Sequence, residues 1–374
     1  DVVVWGKVED FRGRKQMTNP LVDLVGTRTG RIVAIYPQSE KGLSTSVFSD
    51  LVEEALDRYG DALSDPLPEE MRERLGMPSR AWAMRQTHRP ESIGSKEAGR
   101  RRLGFDELLR LQTILVMRKR SFERDAKGLS HDVQGRLVGR FTEGLPFPLT
   151  SSQKSAIGEI RSDLARPIPM HRLLQGDVGS GKTVVALAAM LVAVEAGHQA
   201  ALMVPTEVLA EQHYAALQAM VGGLRVRAGE GTLFAASEAD VELRVELLTS
   251  RLGESARRDV LKRLGSGEAN IVVGTHALLT EDVALASLGL VVIDEQHRFG
   301  VEQRAALREK GAGGVIPDVL VMTATPIPRT AAMTVFGDID TTILSEMPPG
   351  RIPIMTVWAR DEEAEQLAWE RILA

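Results

Sequence analysis

The pattern of hydrophobic and polar positions divides the chain into three stretches. Residues 1–25 alternate in the manner of strands around a turn at Arg12-Gly13-Arg14, which predicts a β-hairpin. Because a lone hairpin is marginally stable, we interpret it as the remnant of a larger barrel. Residues 44–140 show helical spacing instead, and the longest predicted helix covers 103–124.

The third stretch begins near residue 149, where short runs of Val, Ile and Leu alternate with helical segments. Such runs indicate strands buried on both faces of a parallel sheet, and the helices between them indicate repeated β-α-β units. The predicted strands are 171–175, 199–204, 270–275, 288–295 and 318–325.

The long predicted helix carries an apolar stripe within a basic stretch. Four large apolar residues recur at heptad-like spacing, which favours a stripe that faces the core over a partner site. They are Leu108, Leu111, Leu115 and Phe122. Between residues 98 and 140 there are eleven basic and five acidic residues, whereas the whole chain has a net charge of −5. The local positive charge fits either DNA contact or a solvated helix face.

The composition is that of an ordinary globular protein and excludes several other classes. Hydrophobic residues make up 43% and charged residues 26% of the 374 positions, which is enough to bury a core. No apolar run has the length of a membrane span, and no signal peptide is evident. The absence of cysteine excludes disulfides and cysteine-bound zinc, and it fits the cytosol. Because the first residue is Asp1, we expect the chain to be part of a longer one.

The strongest chemical signal is the segment GDVGSGKT, which lies between a predicted strand and a predicted helix. It matches the phosphate-loop pattern G-x-x-x-x-G-K-[ST] in full. Glycines let backbone N–H groups turn toward phosphates, and the start of a helix favours an anion. Lys182 adds a positive charge at the β- and γ-phosphates, and the Thr183 hydroxyl can bind Mg²⁺. The predicted nucleotide site consists of Gly176, Asp177, Val178, Gly179, Ser180, Gly181, Lys182 and Thr183.

A second signal is a run of four apolar residues in the predicted strand 288–295, which ends in two acids, Asp294 and Glu295. Stability alone gives no reason for acids at the end of a buried strand. In a parallel sheet they would lie at the same edge as the phosphate loop. We predict that Asp294 binds Mg²⁺ with Thr183 and that Glu295 polarises the attacking water. A weaker signal is the pair of hydroxyls at Thr323 and Thr325, which share one face of a strand.

The order of the motifs resembles that of superfamily 2 helicases. The motifs are GDVGSGKT, VPTEVLAEQH, VVGTHALL, DEQH and TATPIPRT. The resemblance implies ATP and Mg²⁺ as cofactors. It assigns DNA contact to Thr206, Gln212, Thr275 and His276. It assigns the coupling between nucleotide state and DNA to Gln296, His297, Thr323 and Thr325. It assigns adenine recognition to Phe147, Leu149, Thr150 and Gln153, since a Gln amide can pair with adenine.

Longer segments narrow the resemblance to the RecG-type helicases, a family that remodels stalled forks and Holliday junctions. DEQHRFGVEQR at 294–304 precedes TATPIPRT at 323–330, and RRRLGFDELLRLQ occupies 100–112. Residues 6–20 are similar to the later part of that family's wedge domain, an OB-type barrel, and such barrels bind nucleic acid through their loops. We therefore expect DNA contacts from Arg12, Arg14 and Lys15. Residues 229–245 depart from the family's pattern.

The resemblance implies an α/β fold: a RecA-like P-loop lobe with a parallel sheet, preceded by a helical linker and an OB-type β-barrel (wedge) remnant. The expected domains are a wedge remnant (1–43), a helical linker (44–145), a first helicase lobe (146–345) and the start of a second lobe (346–374). Because a second lobe supplies arginines that complete the ATP site, we expect the chain by itself to be nearly inactive. The expected partners are branched double-stranded DNA and a single-strand-binding protein. We expect the chain to be a monomer that does not associate with a membrane and that acts in the cytoplasm at the nucleoid.

Other functions stay open at this stage. A transcription-repair coupling translocase has a similar motor, but that family favours DEEH and GFGKT where this chain has DEQH and GSGKT. A DNA- or protein-binding module without motor activity is a second alternative, which nucleotide-dependent binding would distinguish. A P-loop enzyme that acts on small molecules would leave TATPIPRT unexplained.

Overall fold

The computed structural model describes residues 2–18, 20–24, 32, 34–36, 45–227, 240–280, 282–294, 315–324, 339–348, 356 and 358–373. The chain forms two compact units, residues 1–115 and residues 116–374. Among the described residues, no helix is both long and apolar enough to cross a membrane.

The N-terminal strands form two antiparallel pairs. The strands are β1 (Val2–Trp5), β2 (Val8–Phe11), β3 (Arg14–Met17) and β4 (Leu21–Leu24). β1 pairs with β4 and β2 pairs with β3. Arg12 and Gly13 both have positive φ, 55° and 77°, which is the backbone of the mirror-image turns that join tight hairpins. The predicted hairpin is therefore confirmed, whereas a complete barrel stays a prediction.

Helices make up the rest of the first unit. They are α1 (Thr45–Tyr59), a 3₁₀ turn (Gly60–Ala62), α2 (Glu69–Arg74), α3 (Arg80–His88) and α4 (Ile93–Asp125), of which α4 extends into the second unit. The buried guanidinium of Arg102 donates to the Pro78 carbonyl oxygen at 3.0 Å and to Asp65 at 2.5 Å, and it also pairs with Asp106. A buried cation needs such partners. Arg102 therefore adds no accessible charge to the basic stretch, because its charge is enclosed and neutralised.

The apolar stripe predicted on α4 is only partly correct. Leu111, Leu115 and Phe122 are half-buried, but Leu108 is 56% exposed. α4 starts ten residues before its predicted start, and it passes close to α3 at Gly99, where a Cβ would lie 2.8 Å from the Ala83 carbonyl oxygen. Heptad-like spacing alone therefore did not place Leu108 inside.

A parallel sheet forms the centre of the second unit. Its strands are β5 (His171–Gly176), β6 (Gln199–Met203), β9 (Val245–Leu248), β10 (Ile271–Gly274), β11 (Leu288–Asp294), β12 (Asp318–Thr323) and β13 (Asp340–Leu344). The spatial order is β13-β5-β12-β11-β6-β10-β9, and every pair is parallel. Two further short strands, β7 (Arg225–Arg227) and β8 (Asp240–Glu242), pair with each other outside this sheet.

All five predicted strands are confirmed, and the sheet contains two that were not predicted, β9 and β13. β13 lies at the edge of the sheet, and its polar sequence DTTIL alternates exposed and buried side chains. It therefore lacks the continuous apolar run that marks a strand with both faces buried. β9 has only four residues, too few for a pattern to emerge.

Helices cover both faces of the sheet. α5 (Leu137–Glu143), α6 (Ser151–Leu164), α7 (Lys182–Glu195) and α8 (Glu207–Val221) contribute to one core, and α9 (Glu254–Gly265) contributes to the other. A final helix, α10, spans Glu362–Leu373. α7 is apolar on every side and is buried from Val184 to Val194, as expected for a helix enclosed by other elements. The carboxyl ends of the strands share one edge, where ligands bind in such folds.

Candidate nucleotide-binding site

The phosphate loop connects the end of β5 to the start of α7. Gly179 and Gly181 have positive φ, 82° and 86°, and Gly181 is the N-cap of α7. A Cβ on Gly181 would overlap the side-chain nitrogen of Gln153, so only glycine fits there. Of the eight predicted phosphate-loop residues, Gly176 ends β5, the next five form the turn, and Lys182 and Thr183 begin α7. The first turn of a helix presents backbone N–H groups that favour an anion.

Lys182 is the first residue of α7, and its ammonium group folds back over the loop. The Nζ donates to the carbonyl oxygen of Gly176 at 2.6 Å and to that of Asp177 at 3.0 Å. The positive charge is thus held at the opening of the loop. A lysine so placed can transfer these hydrogen bonds to phosphate oxygens when an anion enters.

The predicted adenine-reading residues lie at the start of α6. Thr150 and Gln153 form a reciprocal capping box, in which each side chain bonds the backbone N–H of the other residue. Gln153 is fully buried, and its Nε2 also donates to the Ser180 carbonyl oxygen at 2.9 Å. Phe147 and Leu149 are half-buried and pack against the same core. Adenine recognition stays a prediction, but the structure adds a direct link between α6 and the phosphate loop.

Asp294 is the last residue of β11, and β12 separates this strand from β5. The strand ends are therefore roughly 10 Å apart, at about 5 Å per strand. Oxygen donors such as the Asp294 carboxylate and the Thr183 hydroxyl suit Mg²⁺, which binds proteins through few side chains together with phosphates and water. The residues present fit that ion. Glu295, Gln296 and His297 lie outside the described residues.

A histidine that the sequence analysis did not select lies against Asp294. His213 on α8 places its Nε2 3.1 Å from Asp294 Oδ2, and the two side chains are 14% and 15% exposed. The motif VPTEVLAEQH contains His213, but within it the resemblance singled out Thr206 and Gln212. A His on a helix carries no local sign that it meets a strand end 81 positions further on.

The residues predicted to contact DNA through the helicase lobe also lie at the carboxyl edge. Thr206 is the N-cap of α8, where its hydroxyl accepts from Leu209 N at 3.3 Å, and Gln212 is exposed on the same helix. Thr275 follows β10 and occupies the N-cap position of the 3₁₀ turn His276–Leu279, without a side-chain capping hydrogen bond. The side chain of His276 lies outside the described part of the structure.

The two predicted coupling threonines belong to β12 and the segment directly after it. Thr323 ends β12, is buried and pairs in register with Gln175 of β5. It therefore lies between the phosphate loop and the strand that carries Asp294. Thr325 lies outside the described residues.

Arg12, Arg14 and Lys15 belong to the first unit, where all three are exposed on the β2–β3 hairpin. The hairpin also presents Phe11, a residue that is 55% exposed, with the Arg12 guanidinium 5.3 Å from the centre of its ring. Phe11 gives no sign of this exposure in the sequence, because a strand aromatic is usually a core residue. An exposed aromatic among cations is a platform on which a base can stack.

Comparisons with known proteins agree with this arrangement. Residues 150–334 match the DEAD/DEAH box helicase family. The chain is 41% identical to the ATP-dependent DNA helicase RecG of Bacillus subtilis, over 88% of this chain and 45% of that protein. It is 40% identical to the RecG of Mycobacterium bovis, over 100% of this chain and 54% of that protein. The chain thus spans about half the length of the curated relatives it matches.

A solved structure of RecG bound to a three-way DNA junction has 36% sequence identity and a TM-score of 0.71, over 99% of this chain and 48% of that one. Together with the seven-stranded parallel sheet, this match confirms the predicted α/β, RecA-like fold. The sequence similarity and the fold lead to one assignment, and the chain belongs to the RecG family of helicases.

Proposed function

We propose that this chain binds ATP with Mg²⁺ and forms the ATP-binding part of a DNA helicase that translocates on branched double-stranded DNA and unwinds or regresses it. The observation that carries the proposal is the meeting of the phosphate loop and Asp294 at one edge of the sheet. In this proposal Lys182 neutralises the phosphates, Thr183 and Asp294 bind Mg²⁺, and Glu295 polarises water.

The exposed hairpin and the carboxyl-edge residues support the DNA half of the proposal. Arginines and a lysine can neutralise phosphates, which positions a protein on DNA without reading its sequence. Phe11 adds a stacking surface for an unpaired base at a branch point. The RecG relative of known structure is bound to a three-way junction, which supports branched DNA as the substrate of this chain. We place the protein in the cytoplasm at the nucleoid, as a monomer, with a single-strand-binding protein as a further partner.

The nucleotide half is tested by the affinity of the chain for a fluorescent ADP analogue. Lys182→Ala should weaken binding by about a hundredfold, because it removes charge-assisted hydrogen bonds worth about 1.5–3 kcal/mol. The matched control is Lys262→Ala, an exposed lysine near the end of α9. Equal affinities of both variants and the parent would contradict a phosphate role for Lys182.

The DNA half is tested by the salt dependence of binding to a forked duplex. Replacing Arg12, Arg14 and Lys15 by Gln should reduce the log–log salt slope by up to about 2.7, at roughly 0.9 per phosphate contact. The control replaces three exposed arginines elsewhere in the first unit, Arg58, Arg74 and Arg89. If both triple variants keep the parental slope, the hairpin does not contact phosphate. If the DNA affinity is the same with and without nucleotide, a DNA-binding module without motor activity is the better description.

A further inference from the structure

The contact between His213 and Asp294 joins a helix to the metal-binding edge of the sheet. The atoms involved are the ring Nε2 of His213 and the carboxylate Oδ2 of Asp294, 3.1 Å apart. An ionised carboxylate only accepts hydrogen bonds, so the ring nitrogen that faces it carries the proton and donates. The contact thus defines both the tautomer of His213 and the oxygen of Asp294 that it holds.

The surroundings of His213 make it a rigid support. The ring belongs to the middle of α8, a helix of 15 residues that is anchored in the core by Ala210, Leu217 and Val221. The N-cap Thr206 lies seven positions earlier and therefore on nearly the same face of the helix. A side chain presented by an anchored helix positions its partner more accurately than one presented by a loop.

Asp294, by contrast, is the last described residue of its strand and has two rotatable side-chain bonds. A hydrogen bond to Oδ2 restricts rotation about both bonds, so the remaining acceptor sites of the carboxylate stay in one orientation. Hydrogen bonds from an outer layer of residues orient the carboxylates and histidines that bind metals in this way. Because both side chains remain 14% and 15% exposed, the pair is open enough to act on a ligand.

We propose that His213 is a positioning residue of the nucleotide site, which holds the Asp294 carboxylate in the orientation that receives Mg²⁺ with the bound nucleotide. This inference rests on the proposed nucleotide function and deepens it. His213 acts through Asp294 and does not itself touch the nucleotide or the ion. Its loss should therefore change the requirement for Mg²⁺ and leave the phosphate loop intact.

The test uses the full chain and a fluorescent ADP analogue, titrated with Mg²⁺. The side chain of Asn in His213→Asn is too short for its amide to reach Asp294. The longer side chain in His213→Gln can place its amide nitrogen close to where the ring Nε2 of His213 lies. The Mg²⁺ concentration for half-maximal binding should rise about tenfold in the Asn variant, the lower end of the range for outer-layer partners. It should rise less than about threefold in the Gln variant, which keeps a donor.

Two further readouts separate positioning from a structural role. Nucleotide affinity in EDTA and the urea midpoint of unfolding should both stay at the parental value in each variant. The control is Gln218→Ala on the same helix, where the exposed Gln218 amide donates to the Tyr214 hydroxyl at 2.7 Å. Gln218→Ala should match the parent in all three measurements.

The outcomes are distinguishable. If His213→Asn needs the same Mg²⁺ concentration as the parent, the inference is overturned but the proposed function is not. The same holds if the Mg²⁺ concentration for half-maximal binding rises equally in the Asn and Gln variants. A loss of affinity in EDTA that equals the loss in Mg²⁺ would show a structural role and would also overturn it. Absence of any nucleotide binding by the parent chain would overturn the proposed function and the inference with it.

Discussion

Two histidine–aspartate pairs lie at opposite edges of the same parallel sheet. His131 and Asp318 meet at the amino edge, where Asp318 begins β12, with 2.8 Å between Nε2 and Oδ2 and neither side chain exposed. His213 and Asp294 meet at the carboxyl edge, 3.1 Å apart and partly exposed. The same two groups therefore serve in one place as an enclosed contact and in the other as part of an open site.

The buried pair anchors the segment that leads from α4 to α5. His131 N donates to the Leu164 carbonyl oxygen at 2.9 Å, and the Ser130 hydroxyl donates to that of Ala165 at 2.8 Å. Asp318 also accepts from Met170 N at 2.5 Å. Burial raises the pKa of the Asp318 carboxyl, while the hydrogen bond from His131 opposes that rise. Every polar bond here is made to another part of the fold, so we expect this pair to govern stability.

The largest effect should come from Asp318→Ala. The change leaves the ring of His131 and the N–H of Met170 buried without an acceptor, which should lower the free energy of unfolding by about 3–5 kcal/mol. Urea unfolding followed by circular dichroism measures the loss. Asp318→Asn keeps an acceptor and a polar partner of the same shape, so it should lose clearly less. Equal losses in both variants would show that hydrogen bonding is not what the pair contributes.

Gly289→Ala should have the next largest effect on stability, because the missing side chain of Gly289 lets β11 pass close to His198 and His131 at the amino edge. A Cβ at this position would lie 2.6 Å from the Cβ of His198 and 2.9 Å from Cε1 of His131. Such crowding in a packed interior costs about 1–3 kcal/mol. The urea midpoint should fall accordingly, and an unchanged midpoint would mean that the amino edge is looser than its contacts indicate.

His198→Asn should produce a smaller, pH-dependent effect. Burial, and then the neighbouring His131 ring, lower the pKa of His198 below its ordinary value of 6.5. The native state therefore disfavours the protonated ring, and stability present above pH 6.5 is lost as the pH falls through the lowered pKa. When the pH is lowered from about 7.5 to about 5, the melting temperature of the parent should fall by more than that of His198→Asn. Asn can keep a hydrogen bond to the Ser287 hydroxyl, so parallel pH profiles would exclude His198 as the titrating group.

The smallest effect on stability should come from Asp294→Ala at the carboxyl edge. Water reaches both side chains, so it can replace the hydrogen bond that His213 loses, and the urea midpoint should fall less than in Asp318→Ala. The same variant should lose the Mg²⁺ dependence of nucleotide binding, because it removes a proposed ligand of the ion. A loss of stability as large as that of Asp318→Ala would remove the distinction between the two edges.

Much of the candidate site could be predicted from contiguous residues. The phosphate loop and the acids at the end of β11 are short segments in which chemistry and neighbouring pattern coincide, so the sequence alone was enough to propose Lys182 and Asp294. The five central strands were predicted because burial on both faces leaves a continuous apolar run. The edge strand β13 buries only one of its two faces, so it has no continuous apolar run and was not predicted.

What the sequence by itself determined is the N-terminal hairpin, the five central strands and the family-typical motifs, because these depend on residues two to eight positions apart. Only the tertiary structure decided which charges are enclosed and which groups meet. Arg102 looked like its exposed neighbours Arg100 and Arg101 until Asp65 and Asp106 enclosed it. His213 meets Asp294 across 81 positions and His131 meets Asp318 across 187, and a pairing over such a distance leaves no local pattern, because the partners become neighbours only when the strands align.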